Sequence, residues 1–280
     1  MEISPSALRA LSSILEERTG QRLNEGRQWR VELALRPILK LHDIDSCETL
    51  AVRLTEPGSE SLRDETVDAL LNNETYFFRD TDAFSTLPQI IEAIAAHREN
   101  TKKLKIWSAG CSTGQEIYSL AMQFREDRRR WEGWTLDLLG TDISRKAIAR
   151  GQEAVYSQFE IQRGLPAKHM LQWFEQRGER WHAHDDLRRM VHFRRQNILE
   201  APPPGMFDLI LCRNVLLYFP AANRSKALDW MSRVLAPDGA LMLGAGETVL
   251  GYCDRFEILP GARSLYRLAP PEKHQLAIGA

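Results

Sequence analysis

Cysteine is scarce: the 280 residues hold four, Cys47, Cys111, Cys212 and Cys253, and none forms a CxxC pair. That spacing excludes a disulfide scaffold and the usual structural zinc site, and it fits a reducing compartment. Excess charge is missing too. The 37 Lys+Arg against 38 Asp+Glu leave a net charge of −1, which excludes nucleic-acid binding by bulk basicity but leaves a local basic face open. No run of about 18 apolar residues exists, so no membrane span is expected. Met1-Glu2-Ile3-Ser4-Pro5 lacks the basic and apolar regions of a signal peptide. What is present is ample core material, 43% hydrophobic against 27% charged residues, enough for one large domain or two modest ones. A cytoplasmic protein is the expectation.

The first 72 residues read as helix. Ser4-Pro5 opens a run with apolar residues at Leu8, Leu11, Ile14 and Leu15, and Gly20 stops it. A second helix spans Arg27 to Leu41, with Val31, Leu35, Ile38 and Leu39 as its buried stripe and Arg27, Arg30, Arg36 and Lys40 as a basic face. Two shorter helices, around Leu50 and over Leu62–Leu71, flank the turn Glu56-Pro57-Gly58-Ser59. A connecting helix follows within 73–100, and the pattern then becomes strand–helix alternation. Strands are predicted at Leu104–Ala109, Thr135–Thr141, Val191–Arg195, Phe207–Cys212 and Ala240–Leu243. The helix Asn223–Leu235 and the turn Pro237-Asp238-Gly239 precede the last of these, and Phe256–Leu259 with Ser264–Leu268 reads as a closing hairpin. Alternation of this kind means a doubly wound parallel sheet. The segment from Ala269 to Ala280 reads as a tail or linker.

The strand–Gly110-x-Ser112-x-Gly114–helix turn admits three readings. It can cradle a nucleotide-type ligand at the strand's carboxyl end, where glycines let backbone come close. It also satisfies G-x-S-x-G with Ser112 as a hydrolase nucleophile, but the final strands offer no His for a triad. The third is a tight turn with small residues for packing. Asp142 at the end of the second strand favours the ligand, because an acidic residue there can accept from ribose hydroxyls. An N-cap role is its alternative, which Ser144 could equally fill. Glu116 sits in the first turn of the following helix, near a ligand or simply complementing the helix dipole.

Five segments in order then resemble one family. They are Asn73-Glu-Thr-Tyr-Phe-Phe-Arg79-Asp80, Trp107 to Met122, Gly140-Thr-Asp142-Ile-Ser, Gln196-Asn197-Ile198-Leu199 and Phe207 to Phe219. Together they resemble the CheR-type chemotaxis-receptor glutamate O-methyltransferases. The resemblance implies a Rossmann-like class I methyltransferase sheet over 101–268, with a small antiparallel β-subdomain inserted at about 156–193. It also implies an all-helical N-terminal domain over 1–72. The cofactor it implies is S-adenosylmethionine, left as S-adenosylhomocysteine. Asn73, Thr75, Arg79, Gly110, Glu116, Asp142, Asn197, Ile198, Arg213 and Asn214 would contact it, with Arg79 and Tyr218 facing the transferring methyl. Arg27, Arg30, Arg36 and Lys40 would recognise the acidic helical bundle of a chemoreceptor, with a merely solvated basic face as the alternative.

The chemistry agrees with that implication. A glutamate carboxyl, pKa about 4.3, is already ionised at neutral pH and needs no general base to attack a sulfonium methyl. Alignment is then the main task, which suits a chain without a Ser-His-Asp set. One departure from the family pattern is the short turn Glu175–Arg180, which predicts independence from a receptor's C-terminal tether peptide. His182-x-His184 with Asp185 lacks a third ligand at useful spacing, so no metal is expected. Three rivals remain: a non-catalytic cofactor-binding module, a small-molecule O-methyltransferase and a serine hydrolase.

Overall fold

A computed structural model describes residues 3–23, 28–261 and 264–270. Arg27 and residues 271–280 of the expected tail lie outside the described residues. The chain divides into two compact units, Met1–Asn72 with Tyr218–Asn223, and Asn73–Leu217 with Arg224–Ala280.

The first unit is helical. It comprises α1 (Pro5–Thr19), α2 (Gln28–Leu41), α3 (Cys47–Arg53) and α4 (Glu60–Leu70). The Ser4 hydroxyl caps α1 by accepting from the Ala7 N–H, and Gly20 ends it at φ 78°, a conformation glycine adopts without a Cβ penalty. Ala7, Leu11 and Leu15 form the buried i,i+4 stripe of α1, and Ala7 and Leu11 share one core with Val31 and Leu35 of α2, Leu50 and Leu54.

The second unit contains α5 (Thr81–Ala96), β1 (Lys103–Ala109), α6 (Gln115–Glu126), β2 (Thr135–Asp142), α7 (Arg145–Glu153) and β3 (Val155–Ser157). It continues through α8 (Gln158–Gln162), α9 (Ala167–Trp173), β4 (Phe174–Arg177), β5 (Arg180–Ala183), α10 (Asp185–Arg188) and β6 (Val191–Arg195). The remaining elements are β7 (Phe207–Cys212), α11 (Ala221–Val234, whose first turn falls in the helical unit), β8 (Leu235–Leu243), β9 (Phe256–Ile258) and β10 (Leu265–Leu268). Seven strands form one sheet in the order β6-β2-β1-β7-β8-β10-β9. The first five pair in parallel, and β10 runs antiparallel to both of its neighbours. The chain runs outward from β1 to β2 and β6 and then returns to β7, so the strand order reverses between β1 and β7. Ligands bind at the carboxyl ends of the strands beside such a reversal.

The inserted subdomain is a three-stranded antiparallel sheet, β3-β5-β4. Its β4–β5 turn has only two residues, with Gly178 first at φ 60°, the residue a type II′ turn favours there. One strand differs from expectation. β8 begins at Leu235, not Ala240, because Pro237-Asp238-Gly239 forms a bulge between the pairs Phe207↔Leu235 and Leu209↔Ala240. A bulge tolerates a proline that has no N–H for the ladder.

Candidate active site

The β1–α6 turn is held from β2. The Gly110 and Cys111 N–H groups both donate to the Thr141 carbonyl, at 2.8 and 2.9 Å. Gly110 has φ 80°, and a Cβ there would lie 2.4 Å from Val215 Cγ2. Ser112, itself at φ 51°, donates its N–H to Asp142 Oδ2 at 2.9 Å and its hydroxyl to the Asn73 carbonyl at 2.7 Å. It is only 7% exposed, whereas a hydrolase elbow presents its Oγ to substrate. The turn is therefore a backbone cradle. Asp142 also accepts the Ser144 N–H through Oδ1 at 2.9 Å, while the Ser144 hydroxyl caps α7. Asp142 thus braces two loops, and the cap falls to Ser144.

Arg213 organises the floor. Its side chain is 1% exposed and donates to Glu116 Oε2 (3.0 Å), Asp80 Oδ2 (2.8 Å) and the Arg79 carbonyl (2.6 Å). Glu116 Oε1 in turn accepts from the Ser108 hydroxyl at 2.8 Å. This buried network fixes a loop in which Phe78 and Asp80 both have positive φ, 51° and 57°, an uncommon conformation for non-glycine residues. Phe77 anchors the same loop, fully buried and edge-on to Tyr156 and Phe174. Between the two strained residues Arg79 projects its guanidinium, donating to the Glu74 carbonyl at 3.0 Å and lying 5.4 Å from the Tyr76 ring centroid.

The segment after β7 has an anchor that sequence reading missed. Glu247 Oε1 accepts the N–H groups of Val215, Leu216 and Leu217, and Oε2 those of Asn214 and Gly244. No local pattern in the sequence signals it, since its partners at 214–217 lie some thirty residues away. Asn214 sits at φ 59°, and its buried Oδ1 has no hydrogen-bond partner. Asn197 Oδ1 accepts the Leu199 N–H, Ile198 is buried, and the Gln196 N–H ties this segment to the Asp142 carbonyl. Thr75 is half-buried. Asn73, Gly110, Glu116, Asp142, Asn197, Ile198, Arg213 and Asn214 therefore gather around the carboxyl ends of β1, β2, β6 and β7. Burial, with Asp142 and Glu116 nearby, pushes the Cys111 thiol well up, and burial does the same to Cys212. Neither is a thiolate nucleophile. Among the described residues no group of three or more His, Cys, Asp or Glu could hold a metal.

In the helical unit, Arg36 and Lys40 are exposed on α2, whereas Arg30 is half-buried and donates to Asn72 Oδ1 at 2.7 Å. Residues 1–72 hold nine Lys+Arg against thirteen Asp+Glu, so positive charge is local to α2. Trp29 (64% exposed) and Leu33 (55%) share that face, apolar residues that the buried-stripe reading passed over. Tyr218 accepts a hydrogen bond from the Asn72 amide, and its carbonyl accepts the Arg22 N–H.

A glycine cradle after β1, a carboxylate after β2 and an unsatisfied amide oxygen after β7 suit a ligand carrying N–H and O–H donors. The sheet order and this site define a class I S-adenosylmethionine-dependent methyltransferase. The family model described as "CheR methyltransferase, SAM binding domain" matches residues 73–265. The chain is 36% identical over 262 residues to the chemotaxis protein methyltransferase of Vibrio parahaemolyticus, covering 92% of this chain and 94% of that one. It is 35% identical over the same shares to chemotaxis protein methyltransferase 1 of Vibrio cholerae. With chemotaxis protein methyltransferase Cher2 of Pseudomonas putida it shares 32% identity over 88% of this chain and 91% of the relative. The chain belongs to the CheR methyltransferase family, and S-adenosylmethionine is its methyl donor. No helix among the described residues is long and apolar enough to cross a membrane.

Proposed function

We propose that the protein methylates glutamate side chains of methyl-accepting chemoreceptors in the cytoplasm, giving glutamate methyl esters. The carrying observation is how the carboxylates around the candidate site are engaged. Glu116 is tied to Arg213 and Ser108, while Asp142 and Glu247 accept backbone N–H groups. A general base is what an alcohol or amine acceptor would require. A glutamate acceptor, ionised at neutral pH, requires only placement.

When bound, S-adenosylmethionine supplies an electrophilic methyl group on a sulfonium, to which an acceptor oxygen bonds as the sulfur leaves with its electron pair. Asp142 and the Gly110–Gly114 turn would hold its nucleoside, and Asn214 Oδ1 would accept from a donor group of the ligand. Asn73, Thr75, Asn197 and Ile198 would line the same site. Glu116 and Arg213 would keep the walls in place, Arg213 by fixing the Arg79 backbone. Arg79 and Tyr218 would orient the acceptor carboxylate through hydrogen bonds, which are stronger when one partner is ionised.

Receptor recognition would fall to the outer face of α2. Arg36 and Lys40, with Arg27 and Arg30, suit an acidic helix, and Trp29 and Leu33 suit its apolar positions. The two-residue β4–β5 turn supports activity without a receptor tail tether; tight calorimetric binding of a tail peptide would refute that part. The function is tested with methyl-labelled S-adenosylmethionine and receptor-containing membranes. Base-labile label on the receptor, lost with Arg79→Ala or Tyr218→Phe, is the expected result. A base-stable label, or none, would overturn the reading.

A further inference from the structure

Arg30, Asn72 and Tyr218 form a short chain of hydrogen bonds within the helical unit. Arg30 donates to Asn72 Oδ1 at 2.7 Å, and Asn72 Nδ2 donates to the Tyr218 hydroxyl. The direction of this chain follows from chemistry. A guanidinium has donors only, so the Asn72 atom facing it must be the amide oxygen. The amide nitrogen is then the atom facing Tyr218, and an amide nitrogen accepts no hydrogen bond. The hydroxyl is therefore the acceptor, and its own proton must point elsewhere. All three residues line one cavity of about 380 Å³, together with Trp29 and Leu33, which leaves that proton open volume to point into.

We propose that Arg30 and Asn72 are positioning residues that lock the Tyr218 hydroxyl with its proton turned outward, ready to donate to one oxygen of the acceptor carboxylate. This rests on the carboxyl-methylation reading above. No proton is transferred in the step; the hydroxyl holds one carboxylate oxygen while the other attacks. Arg30 thus acts through Asn72, and its place on a basic helix is incidental to this role.

The test is a double-mutant cycle on the full chain. Asn72→Ala is expected to lower kcat about tenfold, with receptor KM and S-adenosylhomocysteine affinity within about twofold, and to have no further effect in a Tyr218→Phe background. Asn72→Asp separates positioning from structure. It gives Arg30 an ion pair and keeps the shape, but its oxygen would take the Tyr218 proton, so kcat should fall as with alanine. Wild-type kcat in Asn72→Asp, or additive losses in the cycle, would overturn the proposal. A second readout needs no turnover: with 13Cζ-labelled tyrosine, the Tyr218 resonance, assigned by its loss in Tyr218→Phe, should shift in Asn72→Asp and in Arg30→Gln. If the wild-type chain forms no base-labile ester, the functional reading fails, and the resonance alone decides the relay: a shift supports it and an unmoved resonance overturns it.

Discussion

Glu247→Gln is a near-isosteric change that should be costly. Oε1 accepts from Val215, Leu216 and Leu217 at 2.8, 2.7 and 3.3 Å, and Oε2 from Asn214 and Gly244 at 2.7 and 2.8 Å. The side chain has no room to swing away, since even a Cβ on Gly244 would come within 2.7 Å of Oε2. A glutamine supplies one carbonyl oxygen, best kept where three N–H groups converge. Its NH2 then faces two N–H donors, so two charge-assisted bonds vanish and two buried donors lose their partner. At about 1.5–3 kcal/mol for each hydrogen bond to a charged group, the loss is about 3–6 kcal/mol. The assay is urea unfolding with and without S-adenosylhomocysteine, reading the transition that the ligand shifts, because two units need not unfold together. The exposed control Glu132→Gln should stay within about 0.5 kcal/mol. A loss under about 1 kcal/mol for Glu247→Gln would refute the claim that the carboxylate holds this segment. Weakened ligand affinity should accompany the instability, because Asn214 belongs to the segment released.

Gly110→Ala combines a positive φ with a Cβ 2.4 Å from Val215 Cγ2; S-adenosylhomocysteine binding by calorimetry should fall at least about tenfold, consistent with about 1–3 kcal/mol of backbone strain, and adding Val215→Ala should restore only the steric part. Ser112→Ala removes one hydrogen bond to the Asn73 carbonyl and should weaken ligand binding by no more than about 1.5 kcal/mol, whereas loss of activity by a factor of thousands would revive the nucleophile. The hydrogen bonds from Arg98 hold the Asp238 carboxyl below its ordinary value of 3.8. That contribution is complete above the ordinary value and is lost as pH falls through the lower folded one, so acid unfolding below about pH 4 should be less steep in Arg98→Gln.

Much of this was legible because local chemistry and fold pointed the same way. β1 is a short apolar strand that ends on a glycine needing positive φ, and the two parallel strands beside it follow from strand–helix alternation. β8 was misjudged at its start because Pro237-Asp238-Gly239 carries every local mark of a turn. Only its pairing with β7 reveals a bulge inside the sheet. Glu247 was invisible for a different reason: its partners at Asn214–Leu217 lie some thirty residues away in the chain, and nothing local links a carboxylate to distant backbone donors. Arg213 was legible as a residue of the candidate site's loops but not in direction, because sequence carries no information on which way a long side chain turns. Val31 and Leu35 fill the core as the helical period implies, whereas the exposure of Trp29 and Leu33 on the opposite face is visible only from burial, because that face is read from its charges alone.

Under the proposed function, the engaged carboxylates imply catalysis by alignment. Glu116, Asp142 and Glu247 stand beside the turns after β1, β2 and β7, where an acid–base enzyme would keep a poised proton acceptor. Here each is engaged with neighbours: Glu116 with a buried arginine and a serine, Asp142 with two loop N–H groups, Glu247 with five. Such fully satisfied networks make the loops that carry them more rigid. Rigid loops matter most when alignment of reacting atoms is the main contribution to rate, since small misplacements then cost large factors. An acceptor that arrives already ionised is the one that needs such placement and no general base. On this view, conservative changes that loosen these anchors should lower kcat without moving its pH profile, whereas in an enzyme using any of them as a base the profile would move as well.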